Sequence, residues 1–264
     1  MPFAVEDMTA VNMAVMFPPF YFRLFVAILI LGAVLGVLYD VFGRKKLSAY
    51  NEERKWKRSF GRTPVSGKTS HFSVILRVLI RNVAFSGEIA SCEDAHLDRS
   101  RRIAHLLLFW GFAVMALSML IKAFVYPTLN AFPPNNPLEV GTNAGGLMLL
   151  LGGLLMLFRR VNVRSEKDSM IAPIRADLFL FSVMLAVISQ FILEAADMSG
   201  SLAATELALV LYVPVTAFPF LSMAWSKFPH IIYKPLYAIH REIDAAEGYS
   251  HLPAPSKNSF IRED

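Results

Sequence analysis

Residues 104–125 read AHLLLFWGFAVMALSMLIKAFV, an apolar run in which Lys122 is the only Lys, Arg, Asp or Glu. A helix needs about 20 such residues to cross the hydrocarbon core of a bilayer, so this stretch predicts a transmembrane helix. Four more windows meet the same requirement, at residues 20–40, 141–158, 176–196 and 207–228. We therefore expect an all-α membrane protein with five transmembrane helices, forming a single membrane domain over residues 1–264.

The composition points to a bilayer as well. The chain has 264 residues, of which 55% are hydrophobic and 18% charged, and its mean hydropathy is +0.47. Soluble domains carry about 25% charged residues, so a disordered chain, a coiled coil and a nucleic-acid partner are all disfavoured. Cys92 is the single cysteine, which excludes an intramolecular disulfide, a thiolate zinc site and an iron–sulfur cluster held by this chain alone. A metal would need histidine ligands.

The positive charges are sorted along the chain. Of the 26 Lys and Arg residues, 24 fall on one side of a five-pass topology, in residues 44–102, 159–175 and 227–264. The loops at 126–139 and 197–206 contain none. The positive-inside rule therefore predicts that the N-terminus is outside and the C-terminus is cytoplasmic. It also makes residues 43–102 a long cytoplasmic loop and residues 247–264 a cytoplasmic tail of a cell-membrane protein.

One segment of the cytoplasmic loop has its own pattern. Residues 72–85 read FSVILRVLIRNVAF, in which Arg77, Arg81 and Asn82 share one helical face and apolar residues occupy the other. This pattern predicts an amphipathic helix at the membrane interface.

Several residues inside the apolar windows stand out. The third window is rich in glycine, and small residues such as Gly145, Gly146, Gly152 and Gly153 let neighbouring helices approach closely. Arg23, Lys122 and Glu194 are ionisable residues in the outer parts of their windows, with Gln190 one turn from Glu194. Arg23 and Lys122 are expected to extend to the outer interface. The alternative is that one of these cations pairs with Glu194, or that these residues handle protons released by an oxidised quinol.

Two of the six histidines are placed to hold a haem. His105 lies near the start of the second span and His230 just past the end of the fifth. Since these spans run in opposite directions, we expect both imidazoles at one depth, near the cytoplasmic boundary. A b-type haem takes a neutral imidazole on each axial face, and helix bundles supply such ligands from facing helices. The alternative is that both histidines only cap helix ends. The predicted partners of the haem propionates are Arg101, Arg102, Lys227 and Lys234.

A second haem between His96 and His240 is a further alternative. His96 lies nine residues before His105 and His240 ten after His230, so continuous helices would bring both to a matching depth. The charged residues around His96 and the interruption expected at Pro235 disfavour this pair.

Two motifs carry a family resemblance. The first is R-x-x-H-x-x-x-F-x-G-F and the second is K-x-x-H-x-x-x-x-P, formed by Arg102, His105, Phe109, Gly111 and Phe112 and by Lys227, His230 and Pro235. They resemble the cytochrome b membrane subunits of the respiratory nitrate reductase gamma group, which includes membrane subunits of heterodisulfide reductase-like and quinone-interacting complexes. The resemblance implies that His105 and His230 ligate the cytoplasm-proximal haem b. It further implies electron transfer between menaquinone, or a similar lipid-soluble carrier, and a cytoplasmic iron–sulfur subunit.

The chain departs from that pattern at the outer haem. The positions that correspond to its two histidine ligands hold Met115 and Tyr212, so one haem is favoured over two. The sequence thus predicts an electron-transfer subunit that is not a complete enzyme alone. Its rivals are a haem-free anchor for a cytoplasmic complex and a small transporter or channel subunit.

Overall fold

The chain folds into helices. The computed structural model describes residues 16–43, 46–59, 70–85, 95–126, 129, 132–164, 174–225 and 230–249, and no strand occurs in these ranges. The helices are α1, Pro19–Leu38; α2, Lys46–Ser59; α3, His71–Val78; α4, Ala95–Phe124; α5, Pro137–Arg164; α6, Ile174–Met198; α7, Leu202–Leu221; and α8, His230–Ala246. Wider π-helical turns extend α1 over Tyr39–Gly43 and α3 over Leu79–Ala84.

Five helical segments are long and apolar enough to span a membrane, as the sequence predicts. They are Pro19–Gly43, Ser100–Phe124, Pro137–Phe158, Leu178–Met198 and Leu202–Leu221. Their outward surfaces carry large apolar side chains, and Leu31, Leu117 and Val210 are 57%, 60% and 68% exposed. Such a surface suits lipid rather than water. The orientation across the membrane stays a prediction.

The fifth span differs from its predicted window. It covers Leu202–Leu221 rather than 207–228, and a 3₁₀ turn at Ser222–Trp225 follows it. The earlier start has a local cause, because the hydroxyl of Ser201 accepts a hydrogen bond from the Ala204 N–H at 3.4 Å and so caps the helix. His230 is the first residue of a separate helix, α8, and so does not directly follow the span, which ends at Leu221.

Two other expectations about helix limits change. The helix of the second span, α4, begins at Ala95, well before the predicted start of that span at residue 104. His96 and His105 therefore lie on one helix. Pro235 does not interrupt the chain after His230, because α8 continues through it to Ala246. Pro235 lies in the second turn of α8, where it removes one backbone hydrogen bond without ending the helix.

The contacts divide the chain into two compact units. The first unit comprises Met1–Tyr39 with Ile89–Pro229, and the second comprises Asp40–Glu88 with His230–Asp264. This division does not test the predicted single membrane domain.

The first unit is built on a very close contact between α4 and α5. A Cβ added at Gly145 would lie 2.7 Å from the backbone N of Met115, and one at Gly152 would lie 2.8 Å from the carbonyl O of Ala104. Gly111 of α4 makes the reciprocal approach to the backbone of Gly145. These glycines therefore act as predicted, since any larger side chain would separate the two backbones.

Two further glycines of α5, Gly146 and Gly153, face α6. A Cβ at Gly146 would meet the Phe191 ring, and one at Gly153 would meet the Met184 side chain at 2.6 Å. Between these two glycines, a core cluster joins α5 and α6 through Leu149, Met184 and Val187. The helix α5 is thus held on one side by backbone contact and on the other by side-chain packing.

The second unit brings α3 against α8. Val74 and Val78 are buried against Ala238, with Ile239 and Ile243 packed around them. The predicted amphipathic helix is therefore helical, but its buried side is the Val74 and Val78 side. Other apolar residues of this segment remain exposed, namely Phe72, Leu76, Leu79 and Ile80. Its placement at a membrane interface stays a prediction.

The glycine contact gives a paired test. We expect Gly152→Ala to destabilise the protein by about 1–3 kcal/mol, because the new methyl group meets backbone atoms that cannot move aside. Gly153→Ala should cost far less, since the flexible Met184 side chain can give way. Chemical denaturation in detergent, followed by helical circular dichroism, compares the two variants, and equal losses would contradict the assignment of the close contact to Gly152.

Candidate functional site

The predicted haem residues of the second span lie on α4. His105 is partly buried, as is Arg102, whereas Arg101 is exposed. The span begins at Ser100, before the predicted start at residue 104, so His105 lies deeper in it than the sequence predicts. His105 follows Ala104, which is fully buried at the contact with Gly152.

Two of the remaining predicted haem residues, His230 and Lys234, lie in the second unit. His230 is the first residue of α8, and Lys234 follows it one turn later on the same helix. Lys227 lies outside the described residues. The structure thus places His105 in the first unit and His230 in the second. Their joint ligation of a haem stays a prediction, as do the roles of the four cations.

The alternative haem pair is also divided between helices. His96 lies in the first turn of α4. His240 lies on α8, and burial, together with the nearby charges of Arg54 and Arg58, lowers its pKa below 6.5. Its imidazole is therefore neutral at pH 7, which is the form that ligates a metal. Among the residues that the structure describes, no group of three or more His, Cys, Asp or Glu forms a metal site, a criterion that does not test a two-histidine haem.

An ion-pair cluster joins α2 to α8 in the second unit. Arg54 donates to both carboxylate oxygens of Asp244, and Arg58 donates to Asp244 at 2.6 Å and to Glu247 at 2.7 Å. Burial raises the pKa of Asp244, but the hydrogen bonds and charges of the two arginines outweigh this and hold that pKa below 3.8. His71 at the start of α3 approaches Glu247 at 3.3 Å. The cluster therefore ties all three helices of this unit together.

An apolar cavity of about 200 Å³ lies inside the first unit. Side chains from α1, α4, α5, α6 and α7 line it, including Phe22, Phe112, Val183 and Phe220. Met115 and Tyr212, the residues at the predicted outer-haem positions, both line this cavity. The sequence therefore singled out two residues that line the cavity, but it did not predict the cavity itself.

Two hydroxyl groups interrupt the apolar wall, and they belong to Tyr212 and Thr216. These residues are four apart on α7 and so share one face. The Thr216 hydroxyl oxygen is buried, and it lies beside the Tyr212 hydroxyl without a close hydrogen bond in the described part of the chain. A ligand that offers an acceptor can therefore bind this pair of hydroxyls.

A buried polar cluster occupies the end of the first unit that is predicted to be outer. Lys122 on α4 donates to Glu139 on α5 at 2.6 Å, and their side chains are 3% and 2% exposed. Glu194 on α6 accepts a hydrogen bond from Asn143 at 2.8 Å. Arg23 is exposed on α1, as expected for a cation that extends to the membrane interface.

This cluster corrects one prediction. The salt bridge of Lys122 is made to Glu139, whereas the sequence suggested Glu194 as the acidic partner. Glu139 lies outside the predicted third window, which begins at residue 141, so the sequence does not indicate it as a membrane residue. The available signal was its position in the first turn of α5, where a carboxylate is favoured by the helix dipole.

Comparisons with known proteins identify a family. A family model described as citrate utilization protein B matches residues 24–248. No curated protein and no solved structure matches the chain. The resemblance to the nitrate reductase gamma group stays a prediction beside this match.

Acid should weaken the second unit. The folded pKa values of Asp244 and His240 both lie below their ordinary values, so the unfolded chain binds more protons as the pH falls. Stability should therefore decline first below about pH 6.5, through His240, and again below about pH 4, through Asp244. Asp244→Asn should cost about 1–3 kcal/mol at pH 7 and flatten the second decline.

Hydrogen exchange of the α8 amides measures this stability across the pH range. Glu242→Gln is the control, because Glu242 is exposed on the same helix. A second decline that is unchanged in Asp244→Asn would show that another carboxylate is responsible.

Proposed function

The chain belongs to the citrate utilization protein B family, and on that premise we propose that it is a membrane electron-transfer subunit that carries haem b. In this proposal it exchanges electrons between a lipid-soluble quinone-type carrier and a cytoplasmic iron–sulfur partner. The family name connects this electron transfer with the use of citrate. Growth on an organic acid releases electrons when the acid is oxidised, and a membrane subunit of this kind would deliver them to the carrier pool of the cell membrane.

The cavity of the first unit is the observation that carries the proposal. An engineered apolar cavity of about 150 Å³ holds benzene, so about 200 Å³ of apolar space admits the ring of a quinone headgroup. A quinone carbonyl is a hydrogen-bond acceptor, and the buried Thr216 hydroxyl, which lies beside the Tyr212 hydroxyl, can donate to it. Shape, polarity and hydrogen bonding therefore all favour a quinone-type ring in this cavity.

The same cavity is a poor site for citrate itself. A tricarboxylate needs cationic or strongly donating groups to replace its water, and the cavity wall offers two hydroxyls. The buried Lys122 is already neutralised by Glu139. These observations favour electron transfer over the transporter alternative.

The proposed haem ligands are His105 and His230. His105 fits the role because it is partly buried within a membrane-spanning segment, and imidazole is an ordinary axial ligand of haem iron. The haem would supply a one-electron carrier between the quinone pool and the partner. Arg101, Arg102, Lys227 and Lys234 are the proposed propionate partners, and His96 with His240 remains the alternative pair.

Haem content tests the proposal directly. We expect about one haem b per purified polypeptide, from the reduced-minus-oxidised spectrum and pyridine extraction, and its loss in His105→Ala and in His230→Ala. His71→Ala is the control, since this histidine is exposed on α3 and should leave the haem in place. Two haems per chain would assign His96 and His240 as well, whereas a colourless protein would favour the haem-free anchor.

The cavity has a separate test. Thr216→Val keeps the side-chain shape but removes the hydroxyl, so we expect a quinone analogue to bind about 2- to 10-fold more weakly, as loss of one hydrogen bond implies. Thr205→Val is the matched control on the same helix, because the Thr205 hydroxyl bonds to the Ser201 carbonyl and does not line the cavity. Equal affinities of the Thr216 variant and the parent would place the carrier elsewhere.

A further inference from the structure

We propose that the first unit contains a buried proton-binding site, in which the carboxyl groups of Glu139 and Glu194 share one proton beside Lys122. The inference concerns the bound proton alone and goes beyond electron transfer. It holds whether or not the chain binds haem, so the two proposals succeed or fail separately.

One oxygen of Glu139 is fully satisfied and the other is not. Its Oε2 accepts from the Lys122 ammonium at 2.6 Å and from the Phe132 backbone N–H at 2.9 Å. The Phe132 ring also lies 5.2 Å from the Lys122 nitrogen, which closes the site on that side. Oε1 of the same carboxyl is also buried and has no partner among the described residues.

Glu194 has the same unequal arrangement. Its Oε1 accepts from the Asn143 amide at 2.8 Å, and its Oε2 is buried without a partner in the described part of the chain. Asn143 lies one turn after Glu139 on α5, so this bond draws the two acids together. The two carboxyl groups are close enough to interact electrostatically. A proton on Glu194 would provide the donor that Glu139 lacks.

A count of charges gives the number of protons. With both carboxyls ionised, Lys122 leaves the cluster with one uncompensated negative charge in a buried site, which is strongly unfavourable. A single proton makes the cluster neutral.

At this end of the first unit the sequence offers only one other Lys or Arg, Arg23, that could neutralise the second carboxylate. Residues 1–15 and the loops at 126–139 and 197–206 contain no Lys or Arg. Arg23 is exposed. Asp197, on the same helix as Glu194, is buried and has interactions of its own, and its charge would increase the need for a proton.

A metal cation is the competing ligand. The amide oxygens of Asn143 and Gln190 are buried nearby without partners in the described ranges, and with the carboxylates they are suitable ligands for sodium. However, the Lys122 ammonium is already bonded to Glu139, and a second positive charge so close would be repelled. The proton adds no atom to the site and brings the total charge to zero.

Infrared difference spectroscopy of the purified full chain in lipid vesicles at pH 7 tests the proposal. A protonated carboxyl has a C=O stretch that is separate from the carboxylate bands and shifts in heavy water. We expect Glu194→Gln and Glu139→Gln each to lose the intensity of one such carboxyl, because either change leaves Lys122 paired with a single acid. Glu206→Gln is the control, since Glu206 is exposed on α7, and it should lose none.

Removal of the cation should change the spectrum in the opposite direction. Lys122→Met leaves two acids with no compensating charge, so we expect the intensity to rise by one carboxyl. If Glu139→Gln keeps the band, Glu194 is protonated by itself and the shared site is wrong. If replacing choline chloride with sodium chloride removes the band from the unaltered protein, a cation binds in place of the proton. The sodium result needs no variant, so it is informative even if a substitution prevents folding.

Discussion

The close contact between the backbones of α4 and α5 is the constraint on which the first unit depends. Gly111, Gly145 and Gly152 leave no room for a side chain between the two helices. This contact fixes the register of α4 against α5 over several turns. Three features of functional interest lie along this contact on α4. His105 follows Ala104 at one end, and Met115 also lines the cavity. Lys122, nearer the end of α4, bonds to Glu139.

The bilayer explains why polarity is so unevenly distributed in this unit. A polar group in hydrocarbon must find its partner within the protein. The cavity wall is accordingly apolar, with two hydroxyls of α7 as its polar groups. The ionisable residues Lys122, Glu139 and Glu194 are instead gathered at one end, where they bond to one another and to Asn143. An apolar ring and a proton are therefore assigned to different places in the same bundle.

The second unit is held together by a different kind of interaction. Apolar contact between α3 and α8 is narrow, and the arginines of α2 add charged hydrogen bonds to Asp244 and Glu247. Such bonds weaken with acid and salt, whereas the glycine contact of the first unit does not. His230, the predicted second haem ligand, begins α8 of this unit. The stability of that helix thus bears on any cofactor that His230 holds.

The sequence by itself determined the five apolar helices and the glycines that bring α5 against its neighbours, because bilayer thickness and backbone approach are read directly from residue type and spacing. It did not determine where α7 ends, since the Ser201 cap and the turn at Ser222–Trp225 depend on local hydrogen bonds. Only the tertiary structure paired Lys122 with Glu139 and formed the cavity between Met115 and Tyr212. Residues distant in the chain meet there because five helices pack together, and one-dimensional periodicity does not specify which faces come into contact.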